Sequence, residues 1–172
     1  TNLLARKKSY YFILCVELAV SRCPSSLNPT YCFSVFGEYF MRLPVYYISH
    51  GGGPWPWIPE VEASYAPLRT ALADIPRQLG NQKPSAILMV SAHWESTHGF
   101  NVQGHPNPSM LYDYYGFPAH TYDVRYAAPG SPAVAERVKE LLAEHQLEAH
   151  IDAERGFDHG AFVPAYCIYP DA

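Results

Sequence analysis

The chain has 172 residues and a net charge of −4, with 48% hydrophobic and 15% aromatic side chains. That composition excludes a disordered polypeptide and is enough for one domain with a core of its own. The negative balance gives no basis for nucleic acid as a partner.

The first forty residues differ from the rest. They hold four basic and two acidic side chains, whereas residues 41–172 hold eight basic, fourteen acidic and all eight histidines. The stretch RKKSYYFILCVELAVSRC has the basic start and apolar middle of a signal peptide, but Glu17 interrupts the apolar run, which is too short to span a membrane. With the composition changing at Met41, residues 1–40 are expected to be a non-native or disordered leader that does not pack into the core, and 41–172 the domain. Cys15, Cys23, Cys32 and Cys167 match neither a zinc motif nor a disulfide framework. A reducing compartment, the cytoplasm, is expected, with no membrane partner.

LPVYYIS (43–49) reads as a strand ending at His50. Tyr65, Leu68, Leu72, Ile75 and Leu79 recur at helical spacing and predict a helix over 64–79, bent or ended near Pro76. SAILMVSA (85–92) is an apolar run of the length of a strand buried on both faces, and it ends at His93. FNVQG (100–104) predicts a further short strand. Residues 105–130, rich in Pro, Gly, Tyr and His, read as a long ordered loop of the kind that usually carries function. A helix follows, with Ser131 as N-cap, Pro132 at its first position, and Val134, Val138, Leu141 and Leu142 as its apolar stripe. LEAHID (147–152) predicts a strand and ERGFDHGAF a loop.

Strand, helix, strand over 43–92 is a βαβ unit, whose strands run parallel. His50 and His93 each stand just past the carboxyl end of one of those strands, the edge at which open α/β sheets bind ligands. Two imidazoles converging there suit a metal such as zinc or iron(II). Gly51, Gly52 and Gly53 would let the backbone turn sharply and leave room for metal and substrate, and Trp55 and Trp57 would wall an aromatic pocket. The competing reading is a loop whose histidine and tryptophans only pack.

SHGGGP, SAHW, GFP with the following APGSP, and GFDHG stand here in the order seen in the DOPA-dioxygenase-like extradiol ring-cleavage dioxygenases of class III, which the chain resembles over 41–172. The resemblance implies an α/β fold with a central, largely parallel or mixed sheet, helices on both faces, and a non-haem Fe(II) or Zn(II) site. It implies His50 and His93 as metal ligands and His159 as a catalytic group that binds substrate or transfers protons. Asp158 would orient that imidazole. Gly52, Trp55, Trp57 and His120 are the expected substrate contacts, while His98, His105, His145 and His150 read as surface or packing residues. The implied activity is ring opening of a small catechol-like substrate by dioxygen.

The family's remaining metal ligand is expected beyond Ala172, so the chain is expected to be an N-terminal fragment, with a fold incomplete at its C-terminus. Glu95 and Asp158 are weaker carboxylate candidates for that ligand. Two other functions suit the same histidines: a zinc-dependent hydrolase, and a non-catalytic module that binds a metal or an aromatic compound without turnover.

Overall fold

The structure, a computed structural model, describes residues 11–16, 32–35, 38–41, 43–81 and 83–172, with side chains described from Leu43 onward. Glu17 and Cys23, which entered the reading of the leader, lie outside the described residues.

The sheet that positions the histidines is built from β1 (Tyr11–Val16), β4 (Val45–Ile48) and β5 (Ala86–Val90) in the order β4-β1-β5. β1 runs antiparallel to both neighbours, so β4 and β5 are parallel to each other, as the βαβ reading requires. They are not adjacent, however: six residues from ahead of Met41 supply the strand between them. Phe12 pairs with Tyr47 on one side and Val90 on the other, which brings the carboxyl ends of β4 and β5 level at one edge. β5 is half-buried over Ala86–Met89, and Val90 is 53% exposed. The unbroken apolar run therefore marks a partly covered strand, not one buried on both faces. β2 (Cys32–Val35) and β3 (Glu38–Met41) form a separate antiparallel pair.

The single helix expected over 64–79 is divided. α1 (Pro59–Glu62), a 3-10 turn (Ala63–Tyr65), α2 (Ala66–Ala73) and α3 (Ile75–Gln78) follow one another, and each α segment carries a proline in its first turn. Proline is favoured there because the missing N–H would have no intrahelical partner, but it prevents one helix from running through. Leu72 and Ile75, two of the predicted apolar positions, are buried.

β6 (Phe100–Gln103) and β7 (Ala149–Asp152) pair in parallel, with α4 (Pro132–Glu144) packed against both. α4 starts as its sequence predicts: the Ser131 Oγ accepts the Val134 N–H at 3.4 Å, and Pro132 opens the helix. The fold is thus mixed α/β, with a partly parallel sheet.

The segment read as a loop around GFDHGAF is instead the start of α5 (His159–Ile168). Its residues are apolar on nearly every side and include Pro164, so no amphipathic stripe marked it as a helix. An all-apolar helix belongs inside, and Phe162, Val163, Cys167 and Ile168 join Trp55, Leu72, Ile75, Tyr114, Val124 and Tyr126 in the main core. Burial pushes the Cys167 thiol up to about 11, so it is a packing residue and not a nucleophile at neutral pH. No helix among the described residues is long and apolar enough to cross a membrane.

Phe162 is 1% exposed, whereas Leu141 on α4 is 41% exposed. Phe162→Ala is expected to cost about 3–5 kcal/mol in urea unfolding, and Leu141→Ala about 0.5 kcal/mol or less. Similar losses at the two sites would show that α5 is not the centre of the core.

Candidate metal centre

Two strand ends and one helix start converge on this site. Neighbouring strands lie roughly 4.8 Å apart, so with β1 between them the ends of β4 and β5 are about 10 Å from each other. The chain turns inward from both ends. His50 follows β4 by two residues, His93 follows β5 by three, and their Nε2 atoms meet at 3.3 Å. His159, the first residue of α5, completes the group, with ring centroids 4.9 Å from His50 and 4.2 Å from His93.

Gly51 and Gly53 serve packing, a correction to the idea that they leave room for metal or substrate. Gly51 (φ +76°) and Gly53 (φ +55°) lie in the left-handed region that side chains disfavour. A Cβ on Gly51 would collide with the Trp55 indole, and one on Gly53 would stand 2.7 Å from the Phe117 ring. Gly52 is exposed and passes under the Tyr65 hydroxyl, which would be 2.8 Å from an added Cβ.

Trp55 is fully buried, a second correction, since such a residue cannot wall an open pocket. It stacks on Tyr65 and donates its indole N–H to the His50 carbonyl at 2.8 Å, so it fixes His50 through the backbone. Trp57 is half-buried against Phe162 and Tyr166, and the His120 imidazole, itself exposed, lies 2.8 Å from the Trp57 carbonyl.

The carboxylate that holds His159 is Asp113. Asp113 Oδ1 accepts from both the His159 backbone N–H (2.9 Å) and the His159 Nδ1–H (2.8 Å), and its Oδ2 lies 3.7 Å from His93 Nδ1. Asp158, expected to orient this imidazole, instead turns its carboxylate back onto the first turn of α5. There it caps the Ala161 N–H at 3.0 Å and binds Ser91 and Arg155. A side chain committed to capping its own helix cannot also reach the ring of the next residue. Asp113 carried a weak signal, lying between Tyr112 and Tyr114 in the aromatic loop. Tyr112 donates to the Val124 carbonyl and Tyr114 to that of Thr121, both at 2.6 Å. These bonds order the loop so that Asp113 points at the histidines. His98, His145 and His150 are exposed, and the His105 Nδ1 accepts the Asn107 N–H within its own turn, as expected of residues outside the site.

The donor set fits a metal ion. Ligand atoms of His50, His93 and His159 lie within 4.8 Å of one another, and neither Glu95 nor Asp158 belongs to that group. Two nitrogens each about 2.0–2.1 Å from one ion are at most about 4.2 Å apart, so the 3.3 Å pair needs no adjustment and the third imidazole a sub-ångström one. The electrostatics favour the neutral, ligating form. Burial, and then proximity to His159 and His93, pushes His50 down to about 3. Burial, with His159 next, also lowers His93. Burial opposes ionisation of Asp113, but the hydrogen bonds from His159 prevail and hold its carboxyl below the usual range.

The His50 shift has a consequence for stability. In the metal-free chain, unfolded His50 takes up a proton near its ordinary value of 6.5, while folded His50 stays neutral down to about 3. The unfolded state therefore gains as pH falls through that window, and stability falls by up to about 1.4 kcal/mol per pH unit from this group. Urea midpoints measured between pH 7 and 4.5 should fall more steeply for the wild type than for His50→Gln. Equal slopes would mean that His50 is not held neutral.

Comparisons with known proteins show which family the chain belongs to. The family model for the catalytic LigB subunit of aromatic ring-opening dioxygenase matches residues 44–172. A dioxygenase, tasH, of Hapsidospora irregularis is 38% identical over 134 residues, covering 75% of this chain and 41% of the relative. The 4,5-DOPA dioxygenase extradiol of Beta vulgaris is 44% identical over 93 residues (54% of this chain, 34% of the relative), and that of Escherichia coli (strain K12) 46% over 91 residues (52% and 32%). The chain thus spans less than half the length of these curated relatives. Its matched span takes in all three histidines and Asp113, and the chain belongs to the LigB family of aromatic ring-opening dioxygenases, among its DOPA-dioxygenase-like extradiol members.

Proposed function

We propose that this chain belongs to an enzyme that opens the ring of a catechol-like aromatic with dioxygen at a non-haem metal, Fe(II) in preference to Zn(II). The observation that carries this reading is the convergence of His50, His93 and His159, one of them driven to the neutral form by burial. We assign the catalytic domain to residues 41–172, supported by the family match from residue 44, with β1 an addition to the sheet from outside that span.

His50 and His93 would hold the metal through the facing Nε2 atoms. A bound Fe(II) would supply the passage of electrons between the catechol ring and dioxygen. His159 is assigned to proton transfer. Its Nδ1–H is committed to Asp113, which leaves Nε2 as the nitrogen free to exchange a proton. At Nε2 it would take a proton from a catechol hydroxyl and return it to the opened product. Trp57, with His120 on its carbonyl, and the exposed backbone at Gly52 are the proposed substrate contacts. The substrate class is an inference from the relatives named 4,5-DOPA dioxygenase extradiol.

The test uses the full-length protein loaded anaerobically with Fe(II), with L-DOPA as the probe catechol. Oxygen uptake, absorbance of the yellow ring-opened product, and metal content are followed together. His93→Ala should lose both metal and turnover, whereas His159→Ala should keep its metal and turn over about 10²–10⁴-fold more slowly. If His159→Ala loses its metal as completely as His93→Ala, His159 is a ligand and the division of roles fails. Hydrolysis of an ester or amide without oxygen uptake would replace the dioxygenase reading with that of a zinc hydrolase.

A further inference from the structure

Next to the imidazoles lies a charged cluster that is hydrogen-bonded both within itself and to main chain. Asp158 is 2% exposed and the Arg155 side chain 21%. Arg155 Nη2 donates to Asp158 Oδ2 at 3.1 Å and to the His93 carbonyl at 3.2 Å, with its guanidinium over the Trp94 ring at 4.7 Å. The Ser91 hydroxyl donates to the Asp158 carboxylate at 2.8 Å and accepts the His93 N–H at 3.2 Å. The peptide groups on both sides of the His93 Cα are therefore tied to one buried carboxylate, one through Ser91 and one through Arg155. The same carboxylate caps α5, the helix that His159 begins.

We infer that Ser91 and Arg155, joined through Asp158, are positioning residues that set the separation of His93 from His159. This inference rests on the metal-centre reading above. The turn after β5 lies outside any strand or helix, since β5 ends at Val90 and β6 begins only at Phe100, and the Trp94 N–H bond to the Ser91 carbonyl at 3.3 Å closes it locally. A buried carboxylate is costly unless it is paired and hydrogen-bonded. Arg155, Ser91 and the Ala161 N–H meet that need here, and in doing so they draw the His93 turn onto the start of α5. The planar guanidinium suits a bond to a carboxylate and a carbonyl at once, with an indole beneath it, which an ammonium does not reproduce.

The experiment is Co(II) titration of the chain, read by visible absorption and calorimetry, with thermal melting of each metal-free variant alongside. Ser91→Ala should weaken Co(II) binding about 10–100-fold, the usual worth of a group that orients a ligand, and alter the Co(II) spectrum, while the metal-free melting temperature changes little. Ser91→Thr, which keeps the hydroxyl, should restore affinity and spectrum. Arg155→Lys should weaken binding similarly, and its effect should be less than additive with that of Ser91→Ala, because both act through Asp158. If Arg155→Lys does not fold, the Ser91 pair decides. Wild-type affinity and spectrum in Ser91→Ala would overturn the positioning role and leave the metal centre standing. Failure of the wild type to bind Co(II), with its fold intact, would overturn the metal centre and this inference together.

Discussion

The contact on which the site depends is the hydrogen bond from His159 Nδ1 to Asp113. It joins a loop with little regular structure to the first residue of a buried helix, and it does so with an ionised carboxylate placed among imidazoles. Burial, then proximity to His159 and His93, drives His50 toward the neutral ring, and Asp113 acts the other way. With it, one imidazole is polarised while His50 remains firmly neutral. One cluster thereby holds three imidazoles close to one another and a carboxylate bonded to one of them.

Packing makes that arrangement rigid. The backbone at His50 is bound by the Trp55 indole, which lies against Tyr65 and beneath Arg69. Close approach of those rings is possible only because the positions after His50 lack a Cβ. The three glycines and the tryptophan are thus one structural unit: the glycines admit the ring, and the ring holds the His50 carbonyl. Tyr114 joins the same arrangement from the aromatic loop, with its hydroxyl on Thr121 and its ring edge-on to His159.

An apolar groove of about 310 Å³, lined in part by Ile87, Met89, Tyr126, Phe157, Phe162 and Tyr169, runs between β5 and α5. None of the three histidines lines it, and it lacks the convergent titratable groups that mark the metal centre. The histidine cluster and this groove are therefore separate features of the chain.

Much was legible in the sequence because it depends on local pattern. The strands before His50 and His93, the start of α4 at Ser131 and the ordering of the 105–130 loop follow from apolar runs, capping chemistry and aromatic content, each a property of a few neighbouring residues. The placement of His50 and His93 at one edge followed as well, because right-handed crossover leaves little choice of strand direction. The sequence by itself therefore brought His50 and His93 to one sheet edge, where the structure has them. It could not determine what β1 does between β4 and β5, since strand order is a matter of non-local pairing. Nor could it show that α5 is a helix, because a decamer apolar on nearly every side has no amphipathic period to read. Tertiary structure alone decided that Asp113 and not Asp158 holds His159, since that choice depends on a carboxylate 46 residues away in the chain being brought to 2.8 Å. It also decided that Trp55 is core. Both outcomes follow from the same physical fact: buried polar groups must find partners, and only the folded chain determines which partners lie within reach.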